Sequence, residues 1–231
     1  MLKPFVNELD PPQPVPDRQP LDPPLALACL RDPEQAGARL AAIAQRTEGS
    51  AIAEQQNRVA AILERVRLEG DAALIDLTER FDGVRPDPLA IPPERLHQAW
   101  EATAPSLRAA LELAHDRITT FHRHQRPADL AVNGPHGERL GRRWRPVARA
   151  GLYVPGGRAS YPSTVLMNAV PARVAGVERI VMVTPPGPDG EPNPTVLAAA
   201  HLAGVREVYR VGGAQAIGAL AYGTASIPRV D

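Results

Sequence analysis

The stretch Gly151-Leu152-Tyr153-Val154-Pro155-Gly156-Gly157 decides how the rest of the chain is read. It is a short apolar run that stops at a turn built from proline and two glycines. Two similar runs follow, Ile180-Val181-Met182-Val183 and a segment over 205–211 that closes on Val211-Gly212-Gly213. Between them the apolar residues change period. Leu166, Ala169, Val170 and Val174 recur at three- and four-residue steps, which predicts a helix over 163–175 that Pro171 is expected to kink. A second helix is predicted over 195–203, after a loop over 184–194 crowded with proline and glycine. A last helix is predicted to open at Gly212-Gly213. Short buried strands alternating with amphipathic helices are the mark of parallel βαβ units. Residues 148–231 therefore predict an open sheet of three strands in right-handed succession, with a ligand crevice beyond their carboxyl ends.

Two glycine-rich turns stand at those ends, Tyr153-Val154-Pro155-Gly156-Gly157 and Val211-Gly212-Gly213-Ala214-Gln215. Glycine lets backbone and ligand approach closely, and the first amides of a following helix are unpaired donors suited to an anion such as a pyrophosphate. Neither turn spells the G-x-G-x-x-G dinucleotide fingerprint. Tight turns with no ligand account for the spacing equally well. Tyr153 places a ring and a hydroxyl at a strand end, to meet a ligand or to pack beneath the loop. Gln215 falls in the first turn of a helix, with donor and acceptor offered either to a ligand or to solvent. Ser163 opens a helix and is read as its N-cap.

Working outward toward the amino terminus, residues 32–126 carry a helical pattern. Leu40, Ile43 and Ala44 share a stripe of a first short helix, and Ser50 is placed to cap the next. That helix presents Ile52, Val59, Ile62, Leu63 and Val66 on one face. A third helix begins at Gly70-Asp71, carries Leu74, Leu77 and Phe81 in register, and ends at Asp82-Gly83. Pro92-Pro93 opens another, and the last carries a stripe of Leu107, Ala110, Leu111, Ala114, Ile118 and Phe121. After a polar loop around Asn133-Gly134-Pro135, residues 139–147 mix Leu140, Trp144 and Val147 with arginines, which predicts an exposed antiparallel strand. Eight prolines among the first 24 residues predict an extended arm over 1–31, either free in solution or wrapped on a second subunit. The predicted organisation is that arm, a mainly helical scaffold over 32–147, and a sheet domain over 148–231.

The 26 basic and 26 acidic side chains cancel. No net field draws the chain to nucleic acid or to an anionic membrane, so neither is expected as a partner. The apolar stretch before Cys29 is too short to span a bilayer, and acidic residues and prolines precede it where an export signal needs basic ones. Cys29 is the only cysteine, which excludes an internal disulfide and a thiolate-rich zinc site and suits a reducing cytoplasm. His122 and His124 are two residues apart on a predicted helix and point to different faces, and His97, His115, His136 and His201 stand alone. No metal ligand is assigned to this chain from them.

Residues 151–157, followed by Pro162-Ser163-Thr164-Val165-Leu166-Met167-Asn168-Ala169-Val170-Pro171-Ala172, resemble the most distinctive block of the histidinol dehydrogenase family. The run from Val211-Gly212-Gly213-Ala214-Gln215 through Ala221-Tyr222-Gly223-Thr224 to Ile227-Pro228-Arg229-Val230-Asp231 resembles that family's next block, in the same order. Gly70-Asp71-Ala72-Ala73-Leu74 and Ile118-Thr119-Thr120-Phe121-His122 are compatible, so the resemblance covers about residues 35–231. It implies an α/β chain: a helical amino-terminal region followed by an incomplete Rossmann-like open parallel sheet of aldehyde-dehydrogenase-like architecture. It also implies oxidation of L-histidinol through the aldehyde to L-histidine, with NAD and zinc as cofactors, in a homodimer. Tyr153 and Gln215 match the family's NAD contacts, and Ser163 matches a serine near the substrate. The family's zinc ligands, its proton-handling Glu-His pair and a further glycine-rich turn match nothing up to Asp231. The chain alone is accordingly expected to be inactive, an amino-terminal half. A non-catalytic nucleotide-binding or pairing module, complemented by a separate carboxyl-terminal chain, is the alternative. An aldehyde dehydrogenase working through a thiohemiacetal is disfavoured, because Cys29 is far in sequence from both turns.

Overall fold

The computed structural model describes residues 36–38, 40–41, 50–156 and 161–231. The proline-rich arm, Cys29, Ile43, Ala44 and Gly157 lie outside the described residues. Residues 36–38 and 40–41 are helical. The helical half then runs through α1 (Ser50–Glu69), α2 (Asp71–Asp82), the two-residue strand β1 (Ala90–Ile91), α3 (Pro93–Ala102) and α4 (Pro105–Gln125). A hairpin of β2 (Leu130–Asn133) and β3 (Arg139–Arg142) follows. The chain continues as β4 (Arg149–Tyr153), α5 (Pro162–Ala175), β5 (Arg179–Thr184), α6 (Pro194–Leu202), β6 (Glu207–Arg210) and α7 (Gly213–Tyr222).

β4, β5 and β6 pair in parallel, Leu152 opposite Met182 and Met182 opposite Val208. The sheet order is β1-β6-β5-β4. β1 runs antiparallel to β6, with Ala90 opposite Tyr209, so the sheet is mixed where the sequence predicts a parallel one. Two residues carry no readable period, which is why β1 is invisible in the sequence.

The pleat sorts β5 between two cores. Ile180 and Met182 join Leu152, Val165, Leu166, Ala169, Val170, Leu197 and Val208 on the face covered by α3, α4, α5 and α6. Val181 and Val183 join Val66, Leu74, Leu77, Tyr209, Ala216, Ala219 and Leu220 on the face covered by α1, α2 and α7. Alternate residues of a strand face opposite ways, so a strand buried on both sides must be apolar throughout. Each fully buried Val or Met there contributes about 1.5–3 kcal/mol relative to exposure. β4 meets α7 at its glycine: a Cβ on Gly151 would stand 3.0 Å from Leu220 Cδ1 and from Val230 Cγ2.

Local chemistry explains the helix ends. Asn193 Oδ1 accepts hydrogen bonds from the Thr195 amide at 2.9 Å and from its hydroxyl at 2.7 Å, and Pro194 fills the first helical position of α6. α5 ends at Gly176, whose φ of 95° is left-handed and whose amide reaches the Ala172 and Arg173 carbonyls. Pro171 lies inside α5, one turn from that end.

Several predicted stripes are buried only in part. In α4, Leu111 is buried and Ala114 and Ile118 are half-buried, whereas Phe121 is 61% exposed beyond the edge of the sheet core. Phe81 also faces out, because α2 turns Ala73, Leu74, Leu77 and Thr78 inward. The strand predicted over 139–147 is shorter, ending at Arg142, and its partner is β2, which the sequence does not announce and which ends at Asn133 where the predicted loop begins. Both strands of the hairpin are exposed on every residue.

Candidate functional site

β4 and β6 end beside the central strand β5, and the chain leaves each through a glycine turn. Tyr153 is the last residue of β4 and is 37% exposed. Its hydroxyl accepts a hydrogen bond from the Gly213 amide at 3.2 Å, across 60 residues of sequence. That amide is the first of α7, one of the donors a helix leaves without an internal acceptor. The two turns singled out in the sequence are therefore joined through one bond.

Gly213 has φ of 65°, a left-handed backbone that side-chain-bearing residues avoid. A Cβ there would also stand 2.5 Å from Gln215 Oε1. The Gln215 side chain thus folds back over the start of its own helix. It is 1% exposed, and Oε1 is a buried acceptor with no hydrogen-bond partner. The solvated helix start that the sequence allows for Gln215 is ruled out by this burial. An unmet buried acceptor costs about 1–3 kcal/mol.

The space beside the other glycines is already taken. A Cβ on Gly156 would meet Pro185 Cγ at 2.6 Å, and one on Gly212 would meet Pro185 Cβ at 2.6 Å. Pro185 follows the last residue of β5 and wedges between the two turns. Glycine at 156 and 212 serves this packing, a role the sequence does not disclose because Pro185 looks like an ordinary loop proline.

Beyond Pro185, a cavity of about 500 Å³ opens at the carboxyl end of β5, lined among others by Gly156, Thr184, Asp189, Glu191 and Asn193. Its rim is tied to the neighbouring strand. Arg210, the last residue of β6, binds Glu191 Oε1 at 2.8 Å and the Gly190 carbonyl at 3.4 Å. Arg95 of α3 lies 3.8 Å from Glu191 Oε2. Within the loop, the Gly187 amide donates to the Glu191 carbonyl at 2.8 Å and Asp189 Oδ1 accepts from the Glu191 amide at 3.1 Å. Sequence reasoning missed this pair, since nothing in the spacing of Glu191 and Arg210 links them.

Ser163 is exposed in the first turn of α5, one residue past Pro162, and the N-cap is Tyr161. The capping role suggested for Ser163 is therefore corrected: Pro162 fills the first helical position and moves the serine inside the helix. A second cleft, of about 510 Å³, lies between the carboxyl-terminal turns of α4 and α5 and the loop at Trp144. Its lining includes His122 and Arg126 at the end of α4 and Arg145 of the loop.

The histidines have local partners. His115 Nδ1 lies 3.2 Å from Asp116, His124 Nδ1 donates to the Thr120 carbonyl at 2.8 Å, and the His122 ring meets Phe121 edge-on. His201 of α6 packs against His97 of α3, ring centres 5.2 Å apart, with Trp100 at 6.3 Å. Burial holds the His201 imidazole below its ordinary pKa, His97 adds to the shift and Glu101 opposes it. Among the described residues no group of three or more His, Cys, Asp or Glu side chains is placed to hold a metal ion.

By architecture the chain is an α/β protein with a mixed sheet, and no helix among the described residues is long and apolar enough to cross a membrane. The histidinol dehydrogenase profile matches residues 45–231. A histidinol dehydrogenase from Parasynechococcus marenigrum is 63% identical over 205 residues, covering 89% of this chain and 47% of that relative. One from Rhodospirillum rubrum is 58% identical over 175 residues, covering 75% of this chain and 40% of that one. The crystal structure of histidinol dehydrogenase from Elizabethkingia anophelis superposes with a TM-score of 0.73 at 35% identity, covering 76% of this chain and 41% of that one. This chain belongs to the histidinol dehydrogenase family. It spans about half the length of the curated relatives it matches.

Proposed function

We propose that this chain supplies part of the dinucleotide site of an NAD-dependent histidinol dehydrogenase, an oxidoreductase of histidine biosynthesis that takes L-histidinol through L-histidinal to L-histidine. The observation that carries the reading is Gln215, a buried amide whose carbonyl oxygen has no partner, at the mouth of a helix whose first amide faces Tyr153. The parallel strands β4, β5 and β6 form the nucleotide-binding half of a Rossmann-like sheet on this reading, and the ligand lies across their carboxyl ends. Bound NAD would supply the hydride acceptor for oxidation of the alcohol. Tyr153 sets its ring against the cofactor at the end of β4. Gln215 offers its carbonyl oxygen to an N–H or O–H of the cofactor, and its burial keeps water from competing for that bond. Ser163, exposed at the start of α5, is the candidate substrate contact. The working enzyme is read as a cytoplasmic homodimer.

The zinc that family membership implies does not fit the described residues, which bring no three suitable donors together. Calorimetric titration of NAD into the chain tests the reading. The wild-type chain binds NAD with one site per chain, and Gln215→Ala weakens binding at least several-fold with the melting midpoint retained. Wild-type affinity in the Gln215→Ala chain refutes the role given to Gln215.

A further inference from the structure

The charge of the chain balances only in total. From Arg117 to Arg149 the sequence holds eight arginines against two acids, Asp129 and Glu138. Both acids are turned to backbone amides: Asp129 Oδ1 accepts from the Trp144 amide at 2.8 Å, and Glu138 Oε2 from the His136 amide at 2.9 Å. Elsewhere Arg65, Arg67, Arg85, Arg179 and Arg210 bind carboxylates at 2.7–2.9 Å. Among the described residues, Arg123, Arg126, Arg143 and Arg145 are exposed and make no ion pair with a carboxylate. These four border a concave surface. The cleft of about 510 Å³ at Trp144 shares Arg126 and Val174 with a hollow of about 560 Å³ along α4 and α5, and shares Asp129 with one of about 500 Å³ on the hairpin. The three adjoining hollows form a groove whose lining contains one carboxylate, that of Asp129. Trp144 stands in its wall, 49% exposed, with its backbone tied to Asp129 and the Arg142 guanidinium 5.0 Å from its ring centre. Pro127, Pro146, Pro171 and Val174 supply apolar wall beside it.

We propose that this groove docks an extended acidic segment of a partner protein, its carboxylates set against Arg126 and Arg145 and an apolar side chain laid on Trp144. Guanidinium groups present paired N–H donors that match a carboxylate, and these have no carboxylate of their own to leave. An extended chain fills a run of hollows that a compact anion would leave mostly empty. Single-stranded nucleic acid is held by stacking successive bases on aromatic rings. The groove lining offers Trp144 and no Phe, Tyr or second Trp. A lipid surface is met by a flat or convex face, and this one is concave. The groove also lies at the other end of the sheet from Tyr153 and Gln215: α5 runs back after β4, so Ala175 stands just before β5 as Pro146 stands just before β4. Its occupancy is therefore independent of the dinucleotide reading.

Fluorescence anisotropy with a labelled synthetic peptide of repeating Glu-Glu-Leu tests the docking on the full chain. Wild type should bind it saturably, and added salt should weaken the binding. The double variant Arg126→Glu, Arg145→Glu should bind at least about tenfold more weakly, with an unchanged melting midpoint because neither arginine has an acidic partner to lose. Trp144→Leu should weaken binding by about 2–10-fold, and the tryptophan emission change that the peptide causes in wild type should vanish with the ring. Failure of the wild-type chain to bind the peptide, or equal affinity in the double variant, overturns the proposal. So does equal binding of a Lys-Lys-Leu peptide, or tighter binding of oligothymidylate or of phosphatidylserine vesicles than of the acidic peptide.

Discussion

Replacing Gln215 by methionine gives a nearly isosteric apolar side chain in the same pocket, and its effect on stability should have the unusual sign. Most core substitutions destabilise. Here the side chain is 1% exposed and its Oε1 carries no hydrogen bond, so the ligand-free chain bears a desolvated acceptor. That costs about 1–3 kcal/mol, and an apolar replacement of matching shape removes it. At about 2–4 °C per kcal/mol for a chain of this size, the melting midpoint of Gln215→Met should rise by about 2–12 °C. Urea unfolding at neutral pH, monitored by far-ultraviolet circular dichroism without NAD, should show the same gain with an unchanged denaturant slope. The same concentration of NAD should raise the stability of wild type more than that of the variant, because the variant lacks the amide's bond to the cofactor. A variant less stable than wild type in the absence of ligand refutes the argument, since it would mean that the amide is already satisfied.

Two further outcomes follow from packing and charge. Gly212→Ala should lose about 1–3 kcal/mol in urea unfolding because its Cβ would stand 2.6 Å from Pro185 Cβ, although the Gly212 φ of −118° suits any residue; wild-type stability would show that the wedge yields. His201 is held below its ordinary pKa of 6.5 by burial, so between that lowered value and 6.5 the unfolded chain binds more protons than the folded one. Its contribution is full above about pH 6.5 and is lost as the pH falls through the folded pKa. Melting midpoints taken from pH 8 to pH 5 should fall less steeply in His201→Gln than in wild type, and parallel curves would contradict the assignment.

The α/β order was legible because apolar residues cluster in β5 and at the ends of β4 and β6, punctuated by glycine and proline, and the helices between them keep a 3.6-residue period. Pairing was less so. β1 has two residues, and β2 is exposed on every residue, so neither leaves a readable burial pattern. Tyr153 and Gln215 were legible as positions at strand ends, and the resemblance of the surrounding residues gave them a role. Their state was not. The bond from Gly213 to Tyr153 spans 60 residues, and the burial of the Gln215 amide depends on a left-handed Gly213 that lets the side chain fold back. Pro185 and the Glu191–Arg210 pair were missed for a similar reason. Contacts between separate strand ends are set by the sheet order, which no local window contains.

The central claim is that the carboxyl ends of β4 and β6 form one dinucleotide site, and an amide map of the isotope-labelled chain titrated with NAD tests it most directly. The account predicts saturable shifts concentrated at Tyr153, Gly212, Gly213 and Gln215, extending to the loop at Pro185. Saturable shifts confined to the cleft at Trp144, with Gly213 and Gln215 unmoved, would contradict it.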